Sequence, residues 1–194
     1  MGALDIGFVS KDGFDLSQMD AVYLMGADDF DMNNISKKAF VIYQGHHGDL
    51  GAHRADVILP GAAYTEKNGT YVNTEGRVQR ARRAVFPVGG AREDWKIFRA
   101  LSAYFDDTLP YDTDAQLAQR MITEWPHLGE VGEIAVSKWT DFGASAKIKD
   151  KPFENTLNLD NYYLSNSIAR ASATMMKCVE AFAGKQNSNE KKVA

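Results

Sequence analysis

The sequence predicts an α/β fold in which a partial parallel sheet is flanked by helices. Two short, continuous apolar runs, residues 21–26 and 39–44, are each bounded by turn signals, as is typical of strands buried on both faces. From residue 91 the apolar spacing changes to that of helices. Only about three strands stand out, whereas sheets commonly have about five or six. We therefore expect another chain or segment to complete the sheet.

A polar link, a third strand and a hairpin complete the predicted first half. The link between the two apolar runs, residues 28–38, suits a loop with one short helix, which makes the pair a parallel unit. The third strand is predicted at residues 56–59, where Pro60 stops it. Residues 70–73 and 77–79 are predicted as extended pieces on either side of a glycine turn.

Helical spacing predicts three helices in the second half, each with a capping or stop signal. The start signals are Asp94 for the first helix, Asp112 or Thr113 for the second, and Ser165 or Asn166 for the third. Pro126 ends the second helix and Gly184 ends the third. The apolar side chains at Trp95, Phe98 and Trp125 are predicted to be helix core.

These elements divide the chain into three parts. We predict an α/β part at residues 1–110, a helical and irregular wrapping segment at 111–184, and a disordered tail at 185–194. Periodicity is weak at 127–158, which is therefore predicted to be irregular.

Charge, hydropathy and cysteine content exclude several classes of function. The net charge is −4, so nothing indicates a general attraction to nucleic acid. No apolar run approaches the roughly 20 residues that a membrane-spanning helix needs. Cys178 is the single cysteine, and an iron–sulfur cluster usually needs four thiolates. Its place on the apolar face of the last predicted helix indicates a core residue rather than a nucleophile.

A histidine-rich stretch follows the second predicted strand and suggests two interpretations. His46, His47, Asp49 and His53 are ligand types for a divalent metal, which would make the protein a hydrolase with a metal-activated water. The other interpretation is a glycine-rich strand-to-helix loop whose polar side chains satisfy its backbone. Neighbouring side chains on an extended chain point to opposite sides, which makes His46 and His47 poor joint ligands. We favour the loop.

A basic run also has two interpretations. Arg77, Arg80, Arg82 and Arg83 suggest contact with phosphate or RNA, or else a solvated or subunit-facing strip paired with the acidic surplus elsewhere. No aromatic residues of the kind that stack on bases are interleaved with them. We favour the strip.

One distinctive string lies between residues 55 and 77. Its marked positions are Ala55-Asp56-Val57-Ile58-Leu59-Pro60, Glu66, Gly69-Thr70, Asn73 and Glu75-Gly76-Arg77. The string resembles the signature of the molybdopterin oxidoreductase superfamily. Longer stretches resemble one branch, the large iron–sulfur subunit of mitochondrial and alphaproteobacterial respiratory complex I. These stretches are Tyr43–Gln79, Ala91–Ile97, Leu109–Asp112, Asp160–Tyr163 and Ile168–Met175, and only 127–158 is weakly similar.

The resemblance implies a fold and a division of labour. Members of this branch carry an N-terminal region with [2Fe–2S] and [4Fe–4S] clusters, followed by a molybdopterin-oxidoreductase-like domain without a molybdenum cofactor. This chain matches the second half of that domain, which we expect another chain or segment to complete. No catalytic, cofactor-binding or metal-binding residue is implied here, and the clusters are expected on the N-terminal part or a partner chain. A split subunit and a piece of a longer protein both fit, and Met1 mildly favours the split.

The implied function is a structural, non-redox portion of the peripheral arm of complex I, which supports electron transfer from NADH to ubiquinone. The expected location is the matrix side of the mitochondrial inner membrane or, alternatively, the cytoplasmic side of a bacterial inner membrane. The expected partners are other complex I subunits, above all the cluster-bearing N-terminal half of the same subunit, with no nucleic acid and no direct membrane span. The alternatives are a fragment of a true molybdopterin-dependent oxidoreductase, binding the pterin through Gly69–Arg77, and the metal hydrolase.

Overall fold

The computed structural model describes residues 1–9, 15–134, 145, 147 and 159–190. The chain divides into two compact units, one of Met1–Ala27 with Asp31–Ser137 and one of Asp28–Phe30 with Lys138–Ala194. In the part of the chain that is described, no helix has the length and apolar character needed to cross a bilayer. The three predicted parts, divided after residues 110 and 184, stay predictions.

A parallel three-stranded sheet lies in the first unit and confirms the predicted fold class. The elements in chain order are α1 (Gly2–Asp5), β1 (Ala21–Met25), β2 (Phe40–Gly45), α2 (Leu50–Arg54) and β3 (Val57–Pro60). β2 is the central strand, and both of its neighbours run parallel to it. The link between β1 and β2 contains one 3₁₀ turn, Met32–Asn34, as predicted.

Burial follows the position of each strand in this sheet. Val41, Tyr43 and Gln44 of β2 are buried, whereas β1 buries only Leu24, and Val57 and Ile58 of β3 are exposed. The prediction that the first strand is buried on both faces is therefore wrong within this chain. The reason is that β1 is an edge strand, which pairs only with β2 among the residues that the structure describes.

The hairpin and the two predicted helices that follow are present. These elements are β4 (Gly69–Val72), β5 (Val78–Ala81), α3 (Asp94–Ser102) and α4 (Asp114–Glu124). The two strands pair antiparallel around a turn that contains Gly76, whose φ of +86° suits glycine. Thr113 caps α4 in a reciprocal capping box with Gln116, and Pro126 begins the 3₁₀ turn that follows the helix.

The second unit holds two helices where the sequence predicts one. Asn166 caps α5 (Ser167–Arg170), and Ala171 and Ser172 separate it from α6 (Ala173–Glu190). The Ser172 hydroxyl accepts a hydrogen bond from the backbone N–H of Met175 at 3.4 Å, which restarts the helix.

The predicted end of the last helix is also wrong. α6 passes through Gly184 and continues to Glu190, because one glycine inside a helix costs only about 1 kcal/mol and does not stop it alone. Residues 191–194 of the predicted tail, and most of the predicted irregular segment at 127–158, lie outside the described residues.

An ion-pair cluster joins the two parts of the second unit. The Arg170 guanidinium donates at 2.6 Å to Asp28 Oδ1 and at 2.6 Å to Asp29 Oδ1. Asp28 is only 2% exposed, and this pairing compensates for the burial of its carboxylate.

Candidate functional site

A cleft of about 680 Å³ opens between the β4–β5 hairpin, α3 and α4. Aromatic side chains line it, namely Tyr71, Trp95, Phe98, Tyr111 and Trp125. Trp95 and Phe98 of α3 and Trp125 just after α4 are half-buried and line this cleft, so none of them is a fully buried core residue as predicted. Their apolar faces meet the cleft instead.

A polar cluster of four side chains connects the sheet to one end of this cleft. Gln44 near the end of β2 is 1% exposed, and its amide nitrogen donates to Asp94 Oδ1 at 2.7 Å. The Tyr23 hydroxyl of β1 donates to the Gln44 amide oxygen, and Lys67 forms an ion pair with the other oxygen of Asp94. Asp94 is the first residue of α3, where a carboxylate is favoured by the helix dipole.

Two further carboxylates beside the cleft are also paired. Glu93 is buried, and it accepts from Lys96 at 2.7 Å and from the Trp95 indole N–H at 3.3 Å. At the start of α4, Asp114 accepts from Arg80 at 2.6 Å. The cations and anions that line the cleft therefore neutralise one another, which does not suit a strongly charged ligand.

One side chain of the polar cluster, Tyr23, has a shifted pKa. Burial, and secondarily the charge of Asp94, raise the pKa of the Tyr23 hydroxyl. The neutral phenol therefore persists as the donor to Gln44.

Polar side chains of the distinctive string from Ala55 to Arg77 bond to backbone groups of the string and of neighbouring segments. Glu66 Oε2 accepts from the backbone N–H of Ala63 at 2.9 Å. Asn73 Oδ1 accepts from the backbone N–H groups of Glu75 at 3.0 Å and Arg77 at 2.9 Å, which fixes the hairpin turn. The Arg77 guanidinium donates to the Gly132 carbonyl. Each of these contacts shapes the hairpin and its surroundings.

The histidine-rich stretch is a strand-to-helix loop, as the favoured interpretation predicts. Asp49 Oδ1 caps α2 by accepting from Leu50 N–H at 2.9 Å, and His53 lies in the last turn of that helix. Within the described ranges, which include all four candidate ligands, no three His, Cys, Asp or Glu side chains are placed to share a metal.

The prediction that the neighbouring side chains of His46 and His47 point to opposite sides of the chain is nevertheless wrong. His46 and His47 lie on the same side, with their Nδ1 atoms 2.6 Å apart, because the chain bends there and is not extended. Burial lowers the pKa of His46, with the neighbouring His47 and Lys67 adding to the effect and Asp94 and Glu66 opposing it.

The basic run is mostly engaged within the chain, as the favoured interpretation predicts. Arg80 pairs with Asp114, and Arg83 lies 3.8 Å from Glu93 Oε1. Among the described residues, Arg82 is exposed and has no carboxylate partner.

Comparison with known proteins decides the family. The model of a family described as molybdopterin oxidoreductase matches residues 1–104, which is more than half of the chain. The chain belongs to the molybdopterin oxidoreductase family. A second family model, which describes the C-terminal region of an NADH-ubiquinone oxidoreductase subunit, matches residues 133–178. The resemblance drawn from the sequence is thus confirmed.

Relatives within this family align with nearly the whole chain. The NADH-ubiquinone oxidoreductase 78 kDa subunit, mitochondrial, of Candida albicans is 47% identical over 95% of this chain. The NADH-ubiquinone oxidoreductase 75 kDa subunit of Reclinomonas americana is 45% identical over 92%, and an NADH-quinone oxidoreductase subunit of Rickettsia felis is 42% identical over 98%. The chain spans 27% of the length of each of these three relatives.

Because the chain belongs to the molybdopterin oxidoreductase family, its β4–β5 hairpin can be tested as a binding site for a pterin dinucleotide. A pterin dinucleotide needs donors for its phosphates. Three cations in or beside the predicted segment, Lys67, Arg77 and Arg80, each already donate to an acceptor of this chain. These side chains could therefore hold a phosphate only by giving up their contacts within the chain.

The polar cluster was missed from the sequence. Tyr23, Gln44, Lys67 and Asp94 are up to 71 positions apart in the chain, and no local spacing joins them. One signal in the sequence could have indicated the cluster. Gln44 is a lone polar residue in the apolar run of β2, and a buried amide requires hydrogen-bond partners.

Proposed function

We propose that this chain is a structural, non-redox portion of the large iron–sulfur subunit in the peripheral arm of respiratory complex I, where it supports electron transfer from NADH to ubiquinone. The observation that carries the proposal is the identity of 42–47% to subunits named NADH-ubiquinone or NADH-quinone oxidoreductase, over 92–98% of this chain. These relatives favour it over a molybdopterin-dependent enzyme and over a metal hydrolase.

The non-redox role follows from the side chains available. An iron–sulfur cluster usually needs four thiolates, and Cys178 is the single cysteine. The family signature holds the β4–β5 hairpin together and leaves its cations paired. We therefore assign no catalytic, cofactor-binding or metal-binding residue to this chain, and the clusters belong to the N-terminal part of the subunit or to a partner chain.

The proposed partner is the cluster-bearing N-terminal half of the same subunit. β1 leaves its outer edge without a strand among the described residues, and Met25 at its end is 50% exposed. An open edge presents unpaired N–H and C=O groups that another strand or loop can cover. Pairing along β1 would complete the sheet. Other subunits of the peripheral arm are the further partners.

The proposed location follows from the same relatives. One is named as a mitochondrial subunit, and another comes from a bacterium. We therefore propose the matrix side of the mitochondrial inner membrane or, in a bacterium, the cytoplasmic side of the inner membrane.

Metal content separates this proposal from a molybdopterin-dependent oxidoreductase. The complex is purified through an affinity tag on the polypeptide that contains this chain, and its iron and molybdenum are measured by mass spectrometry. We expect iron in the amount that several clusters require and only trace molybdenum. Stoichiometric molybdenum with pterin would support the enzyme instead.

Zinc content separates it from the metal hydrolase. We expect His46→Ala to leave the zinc content of the same purified complex unchanged, with His127→Ala as a histidine control outside the loop. A loss of one zinc per complex in the His46 variant alone would support a metal centre at the loop.

A further inference from the structure

The loop that follows β5 carries exposed apolar side chains. In this segment, residues 84–90, here called the Phe86 loop, Phe86 is 77% exposed and Val88 is 76% exposed. Val85 is exposed as well. These residue types are usually buried, and a group of them on one surface loop indicates a contact site for another molecule.

The Phe86 loop is tied to the chain by hydrogen bonds at both of its ends. The backbone N–H groups of Ala84 and Val85 both donate to the Thr65 carbonyl, at 2.8 and 3.2 Å. Arg83 stacks over the Phe86 ring, with its guanidinium carbon 4.3 Å from the ring centroid. Gly89 has a φ of +57°, and a hydrogen bond from Ala91 N–H to the Val88 carbonyl closes the turn. An anchor fixed in this way loses little entropy on binding.

The loop is flanked by cations in a chain whose net charge is −4. Arg82 precedes it and Arg92 follows it, and both are exposed. Neither has a carboxylate partner among the residues that the structure describes, and the one side-chain bond of Arg92 there goes to the Ala91 carbonyl next to it. Two exposed guanidinium groups that flank the loop in the chain, neither with a carboxylate partner among the described residues, match a surface that carries carboxylates.

We propose that the Phe86 loop docks into another polypeptide, which presents an apolar pocket edged by carboxylates. An aromatic side chain with neighbouring arginines is the composition typical of the centre of a protein interface. A lipid surface fits less well, because two unpaired cations contribute only about 1 kcal/mol each on an anionic membrane, and the rigid loop favours a shaped pocket. That the pocket lies on another subunit of the peripheral arm rests on the proposed function.

Site-specific cross-linking in the assembled complex tests this docking. Phe86 is replaced by the photoreactive p-benzoylphenylalanine, the tagged complex is purified and irradiated, and cross-linked peptides are identified by mass spectrometry. The matched control carries the same replacement at Phe105, which is 71% exposed but is followed by Asp106 and Asp107. We expect position 86 to cross-link to one peptide of another polypeptide, rich in apolar and acidic residues. Products confined to this chain or to lipid, or no more frequent than at position 105, would overturn the proposal.

Variants of Arg82 test whether the docking depends on the positive charge beside the loop. We expect Arg82→Glu to lower the yield of the position-86 cross-link about tenfold, and Arg82→Lys to retain most of it, because the partner's carboxylates would repel the glutamate. Equal yields in both variants would contradict the acidic rim. The amount of complex recovered before irradiation distinguishes failure of the docking proposal from failure of the proposed function. If the complex is recovered but the cross-link is absent, only the docking proposal is wrong. If the chain is absent from the complex, the proposed function and the docking proposal are both wrong.

Discussion

Asp94 is the side chain on which the polar cluster depends. It accepts hydrogen bonds from the buried amide of Gln44 and from Lys67, and it lies at the start of α3. Without it, the Gln44 nitrogen is left buried without an acceptor, which costs about 1–3 kcal/mol. The cluster therefore ties the sheet to the helices through one carboxylate.

We accordingly predict that Asp94→Ala destabilises β2 and α3 by about 1–3 kcal/mol. Hydrogen exchange of the peptides that cover these elements, measured in the assembled complex, gives the change directly. Asp107→Ala on an exposed loop is the control and should stay within about 0.5 kcal/mol. Equal exchange in the two variants would show that the cluster contributes nothing to stability.

The raised pKa of Tyr23 predicts how the stability of the protein depends on pH. Because burial favours the neutral phenol, stability linked to this group is fully present below the unfolded pKa of about 10 and is lost as pH rises through the folded pKa. An ultraviolet difference titration between the native protein and Tyr23→Phe should show one tyrosine that ionises above pH ~10. The same difference in denaturant should have its midpoint near pH ~10, and identical midpoints would contradict the shift.

Arg170 is the side chain that holds the buried carboxylate of Asp28 in the second unit. Replacing it with alanine leaves Asp28 as a buried, unpaired charge, so we predict a loss of about 3–5 kcal/mol. Faster hydrogen exchange across α5 would report this loss. The control is Asp29→Asn, since Asp29 is largely exposed, and a loss of more than about 1 kcal/mol there would be inconsistent with a surface pair.

At the scale of elements, α4 depends on its cap. The Thr113 hydroxyl accepts from the Gln116 backbone N–H at 3.2 Å, and the Gln116 side chain accepts from the Thr113 N–H in return. We predict that Thr113→Ala destabilises α4 by about 1 kcal/mol, seen as faster exchange of its first turn. Thr108→Ala in the preceding loop should change exchange by less than about 0.5 kcal/mol. A larger effect at Thr108 than at Thr113 would refute the role of the cap.

Elements fixed by local chemistry could be predicted, and those fixed by context could not. The strands, the hairpin and the capped start of α4 follow from apolar runs, glycine turns and the Thr113–Gln116 spacing. The division of the last predicted helix at Ser172 and its passage through Gly184 depend on small energy differences that packing decides. The cleft could not be predicted either, because helical spacing alone does not say whether an aromatic face meets a core or an opening.

At the scale of the whole molecule, the open edge of β1 and the Phe86 loop agree with a chain that is one part of an assembly. Both expose groups that folded proteins usually cover: a strand edge with no partner among the residues that the structure describes in one case, and an apolar loop in the other. The polar groups around the cleft and in the hairpin are, by contrast, mostly paired with one another.

Quantitative mass spectrometry of the assembly isolated through a tag on this polypeptide tests directly whether the chain is part of a respiratory complex I. We expect equimolar recovery with the iron–sulfur and flavin subunits of an NADH:quinone oxidoreductase. Recovery of the polypeptide alone, or with an unrelated set of proteins, would contradict it.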